Sequence, residues 1–149
     1  MLTQQNFEAL TLLEKEQQLL AVLLDVRNAQ QRFAIIVEHA RKRAPLDPAL
    51  RVEGNRVRGC LVRTWFHAEL RGGKCVFSTD SDAMTLKALL GLVCDLYSGF
   101  SPEEIASSPA EFLQRVGVLH QVAENRQRTV LKIAGQIHEF ARSHLQLAA

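Results

Sequence analysis

The sequence predicts an α+β domain, on three observations: helical periodicity on both flanks, strand-type runs confined to the middle, and a Gly72-Gly73 pair between two of those runs. At 149 residues, 47% of them hydrophobic, the chain suits one domain, residues 1–149, able to bury a core without disulfides or metal. Residues 1–10 precede the first periodic segment and read as a flexible lead-in.

Leu12, Leu13, Leu19, Leu20, Leu23 and Leu24 recur as one face of a helix over residues 11–28. A second helix is expected over 29–43, where Phe33, Ile36, Val37 and Ala40 form a core-facing stripe and Arg41-Lys42-Arg43 places cations at the negative end. Pro45 and Pro48 stop it, so 45–54 reads as a loop. Three strand-type runs follow: a short one at Val57-Arg58, then 62–70, then 75–78, the last two joined by the Gly-Gly turn. Alternation puts Trp65 and His67 on one face of the second run and Thr64 and Phe66 on the other, so the sheet is expected to pack on one side and expose the other.

From Ser81 onward the pattern is helical. Ser81 is placed to cap a helix with the stripe Leu86, Leu89, Leu90, Val93 and Tyr97, which Gly99 stops. Asp80 and Asp82, at the same start, read first as capping carboxylates facing the positive pole, with partner contact as the second reading. Ser101-Pro102-Glu103-Glu104 and Ser108-Pro109-Ala110-Glu111 both carry the signature of a helix start. The last helix is expected over 124–144, with Val130, Ile133, Ala134, Ile137, Phe140 and Ala141 buried.

Composition excludes several function classes. A net charge of +2 is too small for a nucleic-acid binder. Neither a signal peptide nor an apolar run of membrane-spanning length is legible, so no membrane association is expected. Three cysteines, at 60, 75 and 94, form neither a CxxC pair nor an even disulfide set, which points to a reducing compartment and, by default, the cytoplasm. The five histidines show no metal-binding spacing.

Cys60 is the candidate for chemistry. Gly59 before it permits a sharp turn that would present the thiol at a loop tip, and Arg56, Arg58 and Arg63 would favour the thiolate if their side chains reach it. A free cysteine is also a common buried hydrophobe, and on spacing and charge alone that reading stands slightly ahead. Arg126 divides in the same way, between a surface ion pair and a cation near Cys60 or a partner.

An ordered set of motifs changes that balance: Arg32-Phe33, Val57-Arg58-Gly59-Cys60, Trp65, Asp80-Ser81-Asp82-Ala83 and Asn125-Arg126. Together they resemble the SufE family of sulfur-acceptor proteins, a resemblance that covers about residues 29–145. The resemblance implies a SufE/IscU-like fold, a curved antiparallel three-stranded sheet packed against helices. It also implies that Cys60 takes sulfane sulfur from a SufS-like cysteine desulfurase and passes it to iron–sulfur cluster assembly, with a SufBCD-like complex as a candidate receiver. In that role the chain has no cofactor of its own. The persulfide rides on Cys60, pyridoxal phosphate belongs to the partner, and the chain is an activator of the desulfurase rather than an enzyme alone. Arg58, Gly59, Trp65, Asp80, Asp82 and Arg126 fall at positions that would support the loop or meet the partner.

The chain departs from the family where Gly-Cys-Gln-Ser-Gln-Val-Trp is usual and Gly59-Cys60-Leu61-Val62-Arg63-Thr64-Trp65 stands instead. A serine hydroxyl that could bond the loop or a sulfur anion is thereby lost at Val62. Access favours a loop that rests against Trp65 or other apolar residues and swings out on docking. Two other readings stay open: a cluster scaffold using Cys75 and Cys94 as further ligands, and a desulfurase-binding regulator that accepts no sulfur. Homodimerisation is also open.

Overall fold

The computed structural model describes residues 10–145, so the lead-in expected over residues 1–10 lies almost wholly outside the described residues. Helices α1 (Leu12–Leu24) and α2 (Ala29–Arg41) open the chain, followed by an irregular segment with two short 3₁₀ turns at Pro48–Leu50 and Glu53–Asn55. Strands β1 (Thr64–Arg71) and β2 (Lys74–Ser81) form the hairpin, and α3 (Met84–Tyr97), α4 (Pro102–Ala106), α5 (Phe112–Val116) and α6 (Glu124–Ser143) complete the order.

Local chemistry sets the first two helix starts. Thr11 and Glu14 form a reciprocal capping box on α1, and the Asn28 side chain accepts from the Gln31 amide at the start of α2. Arg32 then ties α1, α2 and α5 together, donating to the carbonyls of Leu23, Val26, Arg27 and Val116. It is buried without a carboxylate, and backbone carbonyls satisfy the guanidinium in its place.

Helix α3 is the centre of the core. Leu86, Leu89, Leu90, Val93 and Leu96 are fully buried, and apolar residues surround the helix on nearly every side, as in a helix packed between layers. One layer is the hairpin, whose Cys75, Phe77, Thr79 and Ser81 alternate inward; the others are α2 and α6. Phe66 stacks on Phe77, which meets Phe140 of α6 edge-on.

Several expectations are corrected. The sheet has two antiparallel strands among the described residues, not three, paired from Thr64 with Ser81 to Arg71 with Lys74. The expected strand at Val57-Arg58 is reduced to a single bridge between Arg56 and Trp65, because Gly59, at φ +79°, turns the chain away before a second pair can form. Ser81 does not cap α3. It belongs to β2, its hydroxyl accepts from the Ala83 amide, and the helix begins three residues later, at Met84, without a side-chain cap. Asp80 and Asp82 are likewise not caps. Ser101 caps α4 as expected, but the Ser108 hydroxyl is spent on the Ile105 carbonyl and His138, so α5 starts only at Phe112. Nor is the second face of the sheet bare, since the segment after α2 folds over Trp65 and leaves it 4% exposed.

Candidate functional site

Cys60 lies on a loop, residues 57–64, that leaves the core at Val57 and returns to it at Thr64. The loop is closed at its base by the Val57 amide, which donates to the Thr64 carbonyl at 2.8 Å. On its flank the Lys132 ammonium of α6 donates to the Arg58 carbonyl at 3.0 Å. Gly59 supplies the left-handed turn, and the next two side chains part company. Cys60 is half-buried against the edge of the core, whereas Leu61 projects at 91% exposure. The thiol is therefore neither at the tip nor locked inside. It sits one residue behind an apolar tip, in a loop held by few bonds.

The polar partner of the sulfur is Thr64. Its Oγ1 lies 3.5 Å from Cys60 Sγ, donates to the Val62 carbonyl at 3.1 Å, and lies 2.9 Å from the Ser81 hydroxyl across the strand pair. Ser81 in turn reaches the Arg63 carbonyl at 3.3 Å. Thr64 is fully buried, so this hydroxyl chain is shielded from solvent.

The arginines expected near the sulfur are turned elsewhere. Arg63 Nε donates to Asp82 at 2.7 Å, Arg51 meets the other oxygen of Asp82 at 3.4 Å, and Arg56 pairs with Glu53. All three guanidinium groups gather over the Trp65 ring, Arg51 at 4.2 Å from its centroid. Trp65 is thus the floor of a cationic stack. Arg58 is exposed, with its side chain free of any carboxylate among the described residues. Asp80 is buried; it accepts from the Leu46 and Ser81 amides and stands 3.8 Å from the Lys87 ammonium, pinning the segment after α2 to the sheet. Arg126 donates to the Thr85 hydroxyl at the start of α3 and forms no ion pair among the described residues. Of the residues singled out from sequence, Gly59, Cys60 and Arg58 share the loop, Asp82 fastens its return limb through Arg63, and Trp65, Asp80 and Arg126 support the surroundings.

Sequence reasoning missed Thr64 and Lys132, and read Ser81 as a helix cap rather than as the partner of Thr64. The one available signal was a hydroxyl four residues after the cysteine, at a position where valine is usual. Its meaning depends on a strand register that pairs it with Ser81.

The other two thiols are packing groups. Cys75 is on the inner face of β2 and Cys94 inside α3, and burial pushes both thiols up, helped by Glu103 for Cys75 and by Asp95 for Cys94. Among the described residues no three histidine, cysteine or acidic side chains are grouped to hold a metal ion, and no helix is long and apolar enough to cross a membrane.

Comparison with known proteins agrees with the motif set. Residues 17–141 match the family model described as SufE, Fe-S metabolism associated domain. A Synechocystis protein described as an uncharacterized SufE-like protein is 26% identical over 97 residues, covering 65% of this chain and 61% of that one. The chloroplastic SufE-like protein 2 of Arabidopsis thaliana is 29% identical over 100 residues, 66% of this chain and 39% of its own length. The matched stretch is thus less than two thirds of either relative. A solution structure of a hypothetical protein from Thermus thermophilus superposes with a TM-score of 0.69 at 26% identity, over 87% of this chain and 94% of that one.

Proposed function

The chain belongs to the SufE family, matched over residues 17–141 and associated with Fe–S metabolism, and from that membership we propose that Cys60 accepts sulfur from a SufS-like cysteine desulfurase. The sulfur is then relayed to iron–sulfur cluster assembly, through a SufBCD-like complex or its equivalent. A reducing compartment such as the cytoplasm suits this chemistry, because an oxidised Cys60 has no thiolate to attack with. The observation that carries the reading is the contrast among the three thiols: Cys60 alone lies on an exposed loop, while Cys75 and Cys94 are buried.

In the transfer step the Cys60 thiolate attacks the outer sulfur of the donor persulfide, R–S–SH. A new S–S bond forms at Cys60 and the donor's S–S bond breaks. Its electron pair leaves on the donor sulfur, which regains a proton in place of the one Cys60 released to water. One sulfur atom changes carrier, and no outside oxidant or reductant is required.

Reaching a donor requires the sulfur to leave the core edge. The loop is held there by the Val57 to Thr64, Lys132 to Arg58 and Thr64 to Val62 hydrogen bonds, and by the exposed Arg63–Asp82 pair. Each hydrogen bond is worth about 1 kcal/mol net. Docking can offset that cost by burying Leu61 and by pairing Arg58 with an acidic group of the partner.

Incubation with a cysteine desulfurase, pyridoxal phosphate and cysteine should add one sulfur to the intact mass of the wild type and none to Cys60→Ser. A wild type that binds the desulfurase yet gains no sulfur would make the chain a regulator instead. Sulfur gained equally by Cys60→Ser would move the acceptor to another residue.

A further inference from the structure

We propose that Thr64 is a positioning residue for the Cys60 sulfur, a buried hydroxyl that turns its single proton from the Val62 carbonyl to the sulfur when the sulfur becomes an anion. The inference rests on the reading of Cys60 as a sulfur carrier and deepens it by naming the group that receives the anionic sulfur.

Proton counting in a closed space carries it. Thr64 has one O–H and two lone pairs, and as a fully buried residue it has no water to make up a shortfall. Three groups lie around its oxygen: the Val62 carbonyl at 3.1 Å, the Ser81 hydroxyl at 2.9 Å and Cys60 Sγ at 3.5 Å. The carbonyl can only accept, so with a neutral thiol the solution that satisfies every group has Thr64 donating to Val62. The Cys60 S–H then donates to one Thr64 lone pair, and Ser81 fills the other.

Removing the thiol proton breaks this arrangement. A thiolate only accepts, so the unchanged hydroxyl would point a lone pair at a negative charge that water reaches from one side only. Rotation of the Thr64 O–H toward sulfur relieves the repulsion and gains a charge-assisted bond. Ser81 goes on donating to Thr64, and the Arg63 carbonyl it could otherwise reach accepts from the Asp82 amide. What is surrendered is the Thr64 bond to Val62, one of the ties that bend the loop. The charge on the sulfur and the hold on its loop are thereby exclusive claims on one proton.

The placement fits the local sequence. The side chain at 62 is valine, which offers no hydroxyl, and the hydroxyl that reaches the sulfur comes instead from the first residue of β1. There the register opposite Ser81 fixes its position more firmly than a loop could.

The test is the pH profile of Cys60 alkylation by iodoacetamide, followed by intact mass, in wild type, Thr64→Val and Thr64→Ser. Valine keeps the shape and deletes the proton; serine keeps the proton. Loss of a hydrogen bond to an anionic sulfur, a weak acceptor, predicts a Thr64→Val profile displaced to higher pH by about one unit, with alkylation near neutrality slowed about tenfold. Thr64→Ser should track the wild type. The proposal is overturned if the Thr64→Val profile overlies the wild type, or if Thr64→Ser is displaced as far as Thr64→Val. Because alkylation needs no desulfurase, a wild type that accepts no sulfur would sink the acceptor role while this profile still reports on Thr64.

Discussion

The loop carrying Cys60 and the helix carrying Cys94 hold the same side chain under opposite rules. In α3 the thiol is one of many apolar contacts, 2% exposed, and burial with Asp95 alongside pushes it far toward the neutral form. In the loop the thiol leans on the core's edge with a hydroxyl beside it, and the backbone around it is held by separate hydrogen bonds rather than a helical ladder. The difference teaches that access to a thiol in this fold depends on incomplete burial. A thiol in α3 could be freed only by unfolding, whereas the loop can release its sulfur by giving up a few weak ties.

The widest expected gap between the regions is kinetic. In native protein, iodoacetamide should modify Cys60 while Cys75 and Cys94 wait for openings of the core. If those openings approach global unfolding, which ordinarily costs at least about 5 kcal/mol, the two buried thiols react at least about 5,000-fold more slowly. Peptide mapping of the alkylated protein, with a denatured control in which all three thiols react, measures the ratio. Comparable native rates would mean that the core breathes as easily as the loop, and the comparison would break.

A single substitution made in both regions sharpens it further. Cys94→Ser places a hydroxyl in an apolar interior whose best partner is the carbonyl one turn back, and should cost about 1–2 kcal/mol. Cys60→Ser, half-exposed and still beside Thr64, should stay within about 0.5 kcal/mol of wild type. Urea midpoints at unchanged slope measure both. A larger loss from Cys60→Ser would mean that the loop is part of the core's stability rather than apart from it.

The same division explains what the sequence made legible. Thr11 and Asn28 are local caps, the stripes of α2, α3 and α6 are local periodicities, and Gly72-Gly73 takes positive φ at both positions in the turn, so each could be read within a short window. The failures all depend on distant partners. Ser108 has the pattern of a cap, yet His138, thirty residues on, shares its hydroxyl. Asp80 and Asp82 sit at a helix start, yet Leu46, Arg51 and Arg63 claim them. Cys60 and Gly59 were readable as a pair; Thr64 was not, because only the pairing of β1 with β2 puts Ser81 beside it and so leaves its proton to be shared.

The smallest effect concerns pH and should touch only the core. His138, on α6, is buried against the edge of Tyr97, with Ser108 at Nε2 and the Ala134 carbonyl at Nδ1. Burial is the main cause that depresses its pKa, and Arg142 adds to it, against the raising effect of the Ala134 and Ser108 hydrogen bonds. The folded chain therefore binds the proton less readily than the unfolded one. The stability associated with neutral His138 is fully present above the unfolded value of 6.5 and is lost as pH falls from there through the lower folded value. Urea midpoints taken at pH 7.5 and at pH 5.5 should thus differ less in His138→Gln than in wild type, while the Cys60 alkylation profile stays unchanged. An identical drop in both proteins would show that His138 is not held neutral. A displaced alkylation profile would show that the core and the loop are coupled after all, through α6, whose Lys132 holds the Arg58 carbonyl.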